Sequence, residues 1–212
     1  METGTFIRIL KSRLTEELPG LASQMKMVPA ARKEEIEKRS LHAGGRKAAV
    51  LVCLYPDRNG EICFVLIRRN EYDGVHSGQI SFPGGSYEEG DENLVATALR
   101  EAREETGIVP EEMEILGSLT PVYIPPSNFH VQPFVGWAGK APRFIPDPAE
   151  VSEIIEVPLK NILRAENRLE KTIPHREFKE IRVPCYMIGG HVVWGATAMM
   201  LSELGDILEG LA

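Results

Sequence analysis

From Leu94 onward the apolar residues recur at Leu94, Val95, Ala98, Leu99 and Ala102, with Thr106 continuing the row. This stripe of period 3.6 predicts an amphipathic helix. Gly107 stands where a left-handed C-cap is wanted, and Pro110 follows. Near the N-terminus, residues 5–18 place Phe6, Leu10, Leu14 and Leu18 on one helical face, and Pro19-Gly20 ends that run. Residues 47–55 and 61–67 are short apolar runs rich in β-formers, and they predict paired antiparallel strands. Asn59-Gly60 between them supplies the positive-φ turn chemistry. The stretch 68–85 reads as loop, with 79–82 extended, because Gly74, Gly78, Pro83 and Gly84 interrupt it. Residues 114–124 and 130–138 are strand-like around a Pro125-Pro126-Ser127-Asn128 connection, and 150–159 alternates poorly. A last hairpin, 181–188 with 191–194, turns at Gly189-Gly190 before a closing helix from residue 195. Strand runs on both sides of one central helix license an α+β or α/β class.

Composition narrows the function classes. The chain has 212 residues, 43% hydrophobic and 26% charged, which suits one globular unit with a sizeable core. A net charge of −7 gives no electrostatic footprint for DNA or RNA, so no nucleic-acid partner is expected. An anionic substrate stays open, because a bound cation reverses the local field. Cys53, Cys63 and Cys185 lack metal-type spacing and read as buried reduced thiols of a reducing compartment. No apolar run approaches the roughly 20 residues of a membrane helix, and no secretory leader pattern opens the sequence. The expectation is a soluble, cytoplasmic protein without a membrane partner.

Beside the central stripe lie Glu101, Glu104 and Glu105, spaced i, i+3, i+4 and therefore neighbours on one helix face. Like charges there repel by roughly 0.2–0.5 kcal/mol per pair. Three such carboxylates suit a hard divalent cation, which takes oxygen ligands and leaves room for water and phosphate. The plain alternative is a solvated helix face, with Arg100 pairing Glu104 at i, i+4.

The glycine turn and acidic loop ahead of the helix change that balance. Gly84 to Gly107 resembles the Nudix box, G-x5-E-x7-R-E-U-x-E-E-x-G-U, where U is bulky and apolar. Gly85 opens it, Arg100-Glu101 and Glu104-Glu105 give its two pairs, and Gly107-Ile108 closes it. Asp91 replaces the middle Glu with one extra residue before Arg100, and Ala102 is small for U. That variant is similar to the coenzyme A pyrophosphatase branch. The preceding stretch also resembles that branch's signature, L-L-T-x-R-S…H-x-G-Q-V-x-F-P-G-G, through Leu66, Arg69, His76, Gly78, Gln79, Phe82 and Pro83. Ile67 and Asn70 depart from it.

The resemblance implies a Nudix-type α/β/α sandwich with mixed β-sheets. We expect an N-terminal helical extension over residues 1–43 and a Nudix hydrolase domain over 44–212. It implies Mg²⁺ or Mn²⁺ held by Glu101, Glu104 and Glu105, with a backbone carbonyl at Gly85. Arg100 orients the glutamates, and the general base is Glu104 or Glu150, with Glu153 the reserve for a late acid. Arg69, His76, Gln79, Ser127 and Asn128 are the substrate-binding candidates. The implied reaction is hydrolysis of the diphosphate of CoA or acyl-CoA. Another nucleoside diphosphate derivative (ADP-ribose, NADH, a dinucleotide polyphosphate) and a non-catalytic nucleotide sensor are the rivals. The N-terminal stripe needs cover from its own domain or from a second copy, so a homodimer is an expected assembly.

Overall fold

The computed structural model describes residues 2–39, 44–71, 77–175, 179–209 and 211. The expected contact at His76 lies outside these residues, and the boundary expected at 43 and 44 falls at the edge of an undescribed stretch.

Strand β1 (Arg46–Pro56) is the spine of a mixed eight-stranded sheet. It pairs antiparallel with β2 (Ile62–Arg69), and Gly60 at φ 80° supplies the positive-φ residue of the turn. Asp57 organises the same turn, its Oδ1 accepting from Asn59 N at 2.8 Å and Glu61 N at 2.7 Å. Two short strands follow, β3 (Ile80–Ser81) on β2 and β4 (Gly84–Ser86) on β1. The central helix spans Leu94–Thr106. The 114–124 run is divided, since Pro121 separates β5 (Met113–Ser118) from β6 (Val122–Ile124). Both pair with β7 (Phe129–Ala138), which lies parallel to β1 along Arg46 to Leu54. The poorly alternating 150–159 run is a strand after all, β8 (Val151–Pro158), closing the sheet on β2. A separate three-stranded sheet holds β9 (Arg168–His175), β10 (Lys179–Ile188) and β11 (His191–Trp194). The hairpin between the last two turns at Gly189 and Gly190, both at positive φ, as expected.

The two faces of the large sheet are covered differently, which makes the α/β/α sandwich. Alternation along β1 sends Ala49, Leu51, Cys53 and Tyr55 toward Ala98 and Ala102 of the central helix. Ala48, Val52 and Leu54 belong to the other core, with the closing helix (Gly195–Leu208). Small Ala102, the departure from the box, lets the helix backbone sit close to the sheet. The N-terminal helix (Thr3–Arg13) is shorter than the 5–18 expected and ends at a C-cap on Leu14. Its Ile7 and Leu10, with Leu14, join the core of the closing helix, while Phe6 and Leu18 pack against that core. The stripe that suggested a homodimer is therefore covered within one chain. A second tie runs through buried Glu203, which accepts from Gln24 Nε2 at 3.1 Å and from Thr120 N at 3.1 Å. All three cysteines are buried and free. Among the described residues no helix is long and apolar enough to cross a membrane.

Candidate active site

The central helix is fixed at both ends by local chemistry. Asn93 Oδ1 accepts from Val95 N at 2.9 Å and Ala96 N at 3.0 Å, satisfying two orphan donors. At the other end Gly107, φ 74°, donates its N–H to Arg103 O at 2.8 Å. The Pro142–Pro148 stretch completes that end. Ile145 N donates to Thr106 O at 2.8 Å and Asp147 N to Glu105 O at 3.1 Å. One loop thus caps the helix and carries Glu150 on the turn before β8.

The three helix carboxylates stand on a gradient of burial. Glu104 is exposed, Glu101 is partly covered, and Glu105 is 1% exposed. Glu105 falls on the buried side because it lies three and seven residues beyond Ala102 and Ala98, on the face that meets β1. Its Oε2 accepts from Gly84 N at 2.7 Å, and its Oε1 lies 2.8 Å from Arg69 Nη2. That nitrogen donates to Gly84 O at 2.7 Å instead, so Oε1 has a cation beside it but no donor aimed at it. Burial pushes the Glu105 carboxyl up to about 7. Arg69 and the Gly84 N–H oppose this, and Glu101 and Glu150 add to it. Glu101 is also raised, first by burial, with Arg100 lowering it and Glu104 and Glu150 raising it. Glu150, though exposed, therefore belongs electrostatically to the cluster.

Arg100 holds this group together. Its Nε and Nη2 reach Asp91 Oδ1 and Oδ2 at 2.9 and 3.0 Å, a bidentate pair. Nη1 donates to Glu101 Oε1 at 3.0 Å and Glu104 Oε2 at 3.1 Å, and Nη2 also to Ser86 O at 3.0 Å. The bidentate partner is thus Asp91, with single bonds to the glutamates. Arg100 above all, then Glu88 N and Thr97, holds the Asp91 carboxyl well below the usual carboxylate range.

Glycine is demanded at the two positions that bring the strand to the helix. A Cβ on Gly84, at φ 152°, would lie 2.3 Å from Ala49 O and 2.5 Å from Val50 Cα. One on Gly85 would lie 2.4 Å from the carboxyl carbon of Glu101. Oxygen-only donors, an undonated buried oxygen on Glu105 and a glycine cradle for Glu101 fit a hard divalent cation. Among the described residues no three acids stand at metal-holding distances from one another; Glu105 and Glu101 are instead paired with Arg69 and Arg100.

A cavity of about 540 Å³ opens from Gly84, Gly85, Ser86 and Arg69 across the sheet face opposite the central helix. Gln79 lines it, as do Pro125 and Pro126. Ser127 and Asn128 do not; Asn128, at φ 53°, accepts from Tyr123 OH at 3.0 Å and from Arg46 N at 2.8 Å through its backbone oxygen. Glu153 points elsewhere, 3.3 Å from His191 Nε2.

A helix carrying one buried acid and two more open ones, capped by a loop with a further acid and met by a glycine strand turn, defines a Nudix-type fold. The NUDIX domain model matches residues 45–180, and the chain belongs to the Nudix family. Human mitochondrial coenzyme A diphosphatase NUDT8 is 34% identical over 161 residues, 76% of this chain and 68% of that one. Nudix hydrolase NudL of Klebsiella pneumoniae is 37% identical over 159 residues, 75% of this chain and 81% of that one. Arabidopsis thaliana Nudix hydrolase 22, chloroplastic, is 34% identical over 168 residues, and the match covers 77% of this chain but 55% of that relative. The chain thus spans little more than half of that protein's length. A MutT/nudix family protein from Enterococcus faecalis shares the fold with a TM-score of 0.52 at 16% identity, covering 91% of this chain and 76% of that one.

Proposed function

We propose that this chain hydrolyses the diphosphate bond of CoA or acyl-CoA. The products are phosphopantetheine, or its acyl form, and adenosine 3',5'-bisphosphate. The observation that carries the reading is that Arg69, Gln79, Phe82, Gly84 and Gly85, all residues of the branch signature, line the cavity beside the acidic centre. The 34% identity to a coenzyme A diphosphatase supports it.

A diphosphate is a poor electrophile because its oxygens are anionic and repel a nucleophile. Glu101, Glu104 and Glu105 are the residues to hold Mg²⁺ or Mn²⁺, with a backbone carbonyl at Gly84 or Gly85. Such an ion, when bound, neutralises phosphate charge and acidifies water. The chain's own part is positional. Arg100, anchored on Asp91, fixes the carboxylates of Glu101 and Glu104. Arg69 holds Glu105 against the Gly84 turn. A water oxygen attacks one phosphorus, its proton passes to a carboxylate, and the bridging oxygen leaves with the other phosphate. Glu104 and Glu150 are the two carboxylates open enough to take that proton.

The test is kcat/KM for CoA, acetyl-CoA, ADP-ribose, NADH and diadenosine polyphosphates at one Mg²⁺ concentration. CoA species should lead. ADP-ribose or a dinucleotide ahead of CoA by tenfold would overturn the substrate, and no metal-dependent turnover of any diphosphate would favour a nucleotide sensor.

A further inference from the structure

The charge of the cavity wall runs against that of the chain. The sequence holds 31 acids against 24 lysines and arginines. Among the described residues that line the cavity, however, the charged side chains are Arg32 and Arg69 alone. Arg69 stands at the glycine turn and is committed to Gly84 O and Glu105. Arg32 comes from the N-terminal segment, on a short 3₁₀ turn (Ala30–Arg32) closed by its own N–H on Pro29 O at 2.8 Å. Val28 and Ile36, four residues before and after it, are buried in the core of the closing helix. The turn is thereby pinned on both sides, and the half-buried Arg32 belongs to the cavity wall. A guanidinium suits phosphate oxygens, which it meets with two parallel hydrogen bonds. A wall of this sign attracts an anion beyond the one at the glycine turn. Tyr123, Phe129 and Trp194 add aromatic surface, on which a nucleobase stacks.

We propose that Arg32 is a specificity-determining residue that binds a second phosphate of the substrate, separate from the scissile diphosphate. The proposal rests on the CoA reading above, under which that group is the 3'-phosphate of the nucleotide half. The pantetheine arm carries no charge for a cation to read, so the sign of the wall assigns the nucleotide half to this cavity. The N-terminal segment then supplies part of the substrate site, although it carries none of the signature or box residues named above. Arg32 meets the substrate away from the reacting phosphorus in ground state and transition state alike. Its loss therefore falls on KM and not on kcat.

The experiment compares CoA with dephospho-CoA, which lacks the 3'-phosphate, on the full chain in Mg²⁺. Arg32→Gln, Arg32→Lys and Lys33→Gln are assayed beside the wild type. Wild-type kcat/KM should favour CoA about tenfold or more, the scale of a charged hydrogen-bonded pair. Arg32→Gln should remove most of that preference by raising KM for CoA, with kcat held and dephospho-CoA changed less than about twofold. Arg32→Lys, which keeps the charge without the planar fork, should fall between. Lys33 is exposed and does not line the cavity, so Lys33→Gln, which removes an equal charge one residue away, should keep the preference. In chelator, calorimetry should show Arg32→Gln weakening adenosine 3',5'-bisphosphate and leaving adenosine 5'-monophosphate unchanged, a pattern that a purely structural arginine does not give. Equal turnover of CoA and dephospho-CoA by the wild type overturns the assignment without need of a variant. Equal losses on both substrates in Arg32→Gln make the residue structural and overturn it. A loss in Lys33→Gln as large as in Arg32→Gln marks a diffuse field and overturns it too. If CoA is hydrolysed without this preference, the Arg32 assignment alone fails. If CoA is not hydrolysed while another diphosphate is, the CoA reading fails and the assignment with it.

Discussion

Arg69 Nη2 stands 2.8 Å from Glu105 Oε1, yet the Glu105 carboxyl is raised to about 7. Desolvation therefore outweighs the attraction of its own ion-pair partner. The isosteric Glu105→Gln keeps an acceptor for Gly84 N and removes a charge that burial disfavours, while leaving Arg69 less well matched. The two effects oppose one another. In chelator the variant should melt within about 1 kcal/mol of wild type at pH 7, where an ordinary unpartnered cation would lower stability more. Turnover in saturating Mg²⁺ should fall at least about a hundredfold. Activity within a few-fold of wild type would make the carboxylate a packing residue.

Asp91 gives the clearest pH signature. Its folded pKa is depressed by Arg100, so its contribution is present above the ordinary carboxylate pKa and lost as pH falls through the lower folded value. Asp91→Asn should reduce unfolding free energy by about 2 kcal/mol at pH 7, the scale of a charged hydrogen-bonded pair. That difference should shrink in denaturant titrations carried below about pH 4. A difference that is constant with pH would show that the Asp91 charge is not what Arg100 needs.

The central helix, its C-cap glycine and the three acids were legible because periodicity and spacing are local properties. Which acid is buried was also latent in the sequence, since Glu105 shares its face with Ala98 and Ala102. The expected stripe placed all three acids beside the apolar row, as equivalents. Asp91 as the anchor of Arg100 was not legible, because a loop residue nine positions away meets the arginine only once the loop folds back. Arg69 was read as a substrate contact, and its pairing with Glu105 depends on β2 and the helix meeting across β4. The role of the Pro142–Pro148 stretch was not legible, because backbone donors that cap a distant helix leave no side-chain signal. Strand β9 escaped notice altogether: its residues alternate weakly and much of it faces solvent.

The two glycines should respond differently to alanine. At Gly84 the added Cβ meets Ala49 O and Val50 Cα, backbone that cannot yield, at a φ of 152°. Gly84→Ala should therefore destabilise by about 2–4 kcal/mol. At Gly85 the obstacle is the carboxyl group of Glu101, the far end of a flexible side chain. Gly85→Ala should change the melting temperature little, yet cut turnover about tenfold or more by displacing Glu101. Equal losses of stability in both would show that Glu101 is as rigidly held as the strand.

Glu150 and Glu153 were both candidates for a late-loop acid, and the structure separates them. Glu150 raises the carboxyl groups of Glu101 and Glu105, which places its charge near theirs, and its turn is built on Asp147, the residue whose N–H caps Glu105 O. Glu153 lies beside His191 instead. Removing the Glu150 charge should therefore act on the chemical step and barely on folding, because the group is exposed and forms no ion pair among the described residues. We expect Glu150→Gln to lower kcat about ten- to a hundredfold, the range of a lost proton acceptor, with KM little changed. Glu153→Gln should leave kcat within twofold, since exposed ion pairs contribute little. Steady-state kinetics of the two variants, with melting curves to confirm folding, decide the matter. A loss of kcat in Glu153→Gln with Glu150→Gln unaffected would move the base to the His191 side and leave Glu104 as the remaining candidate near the glutamate cluster.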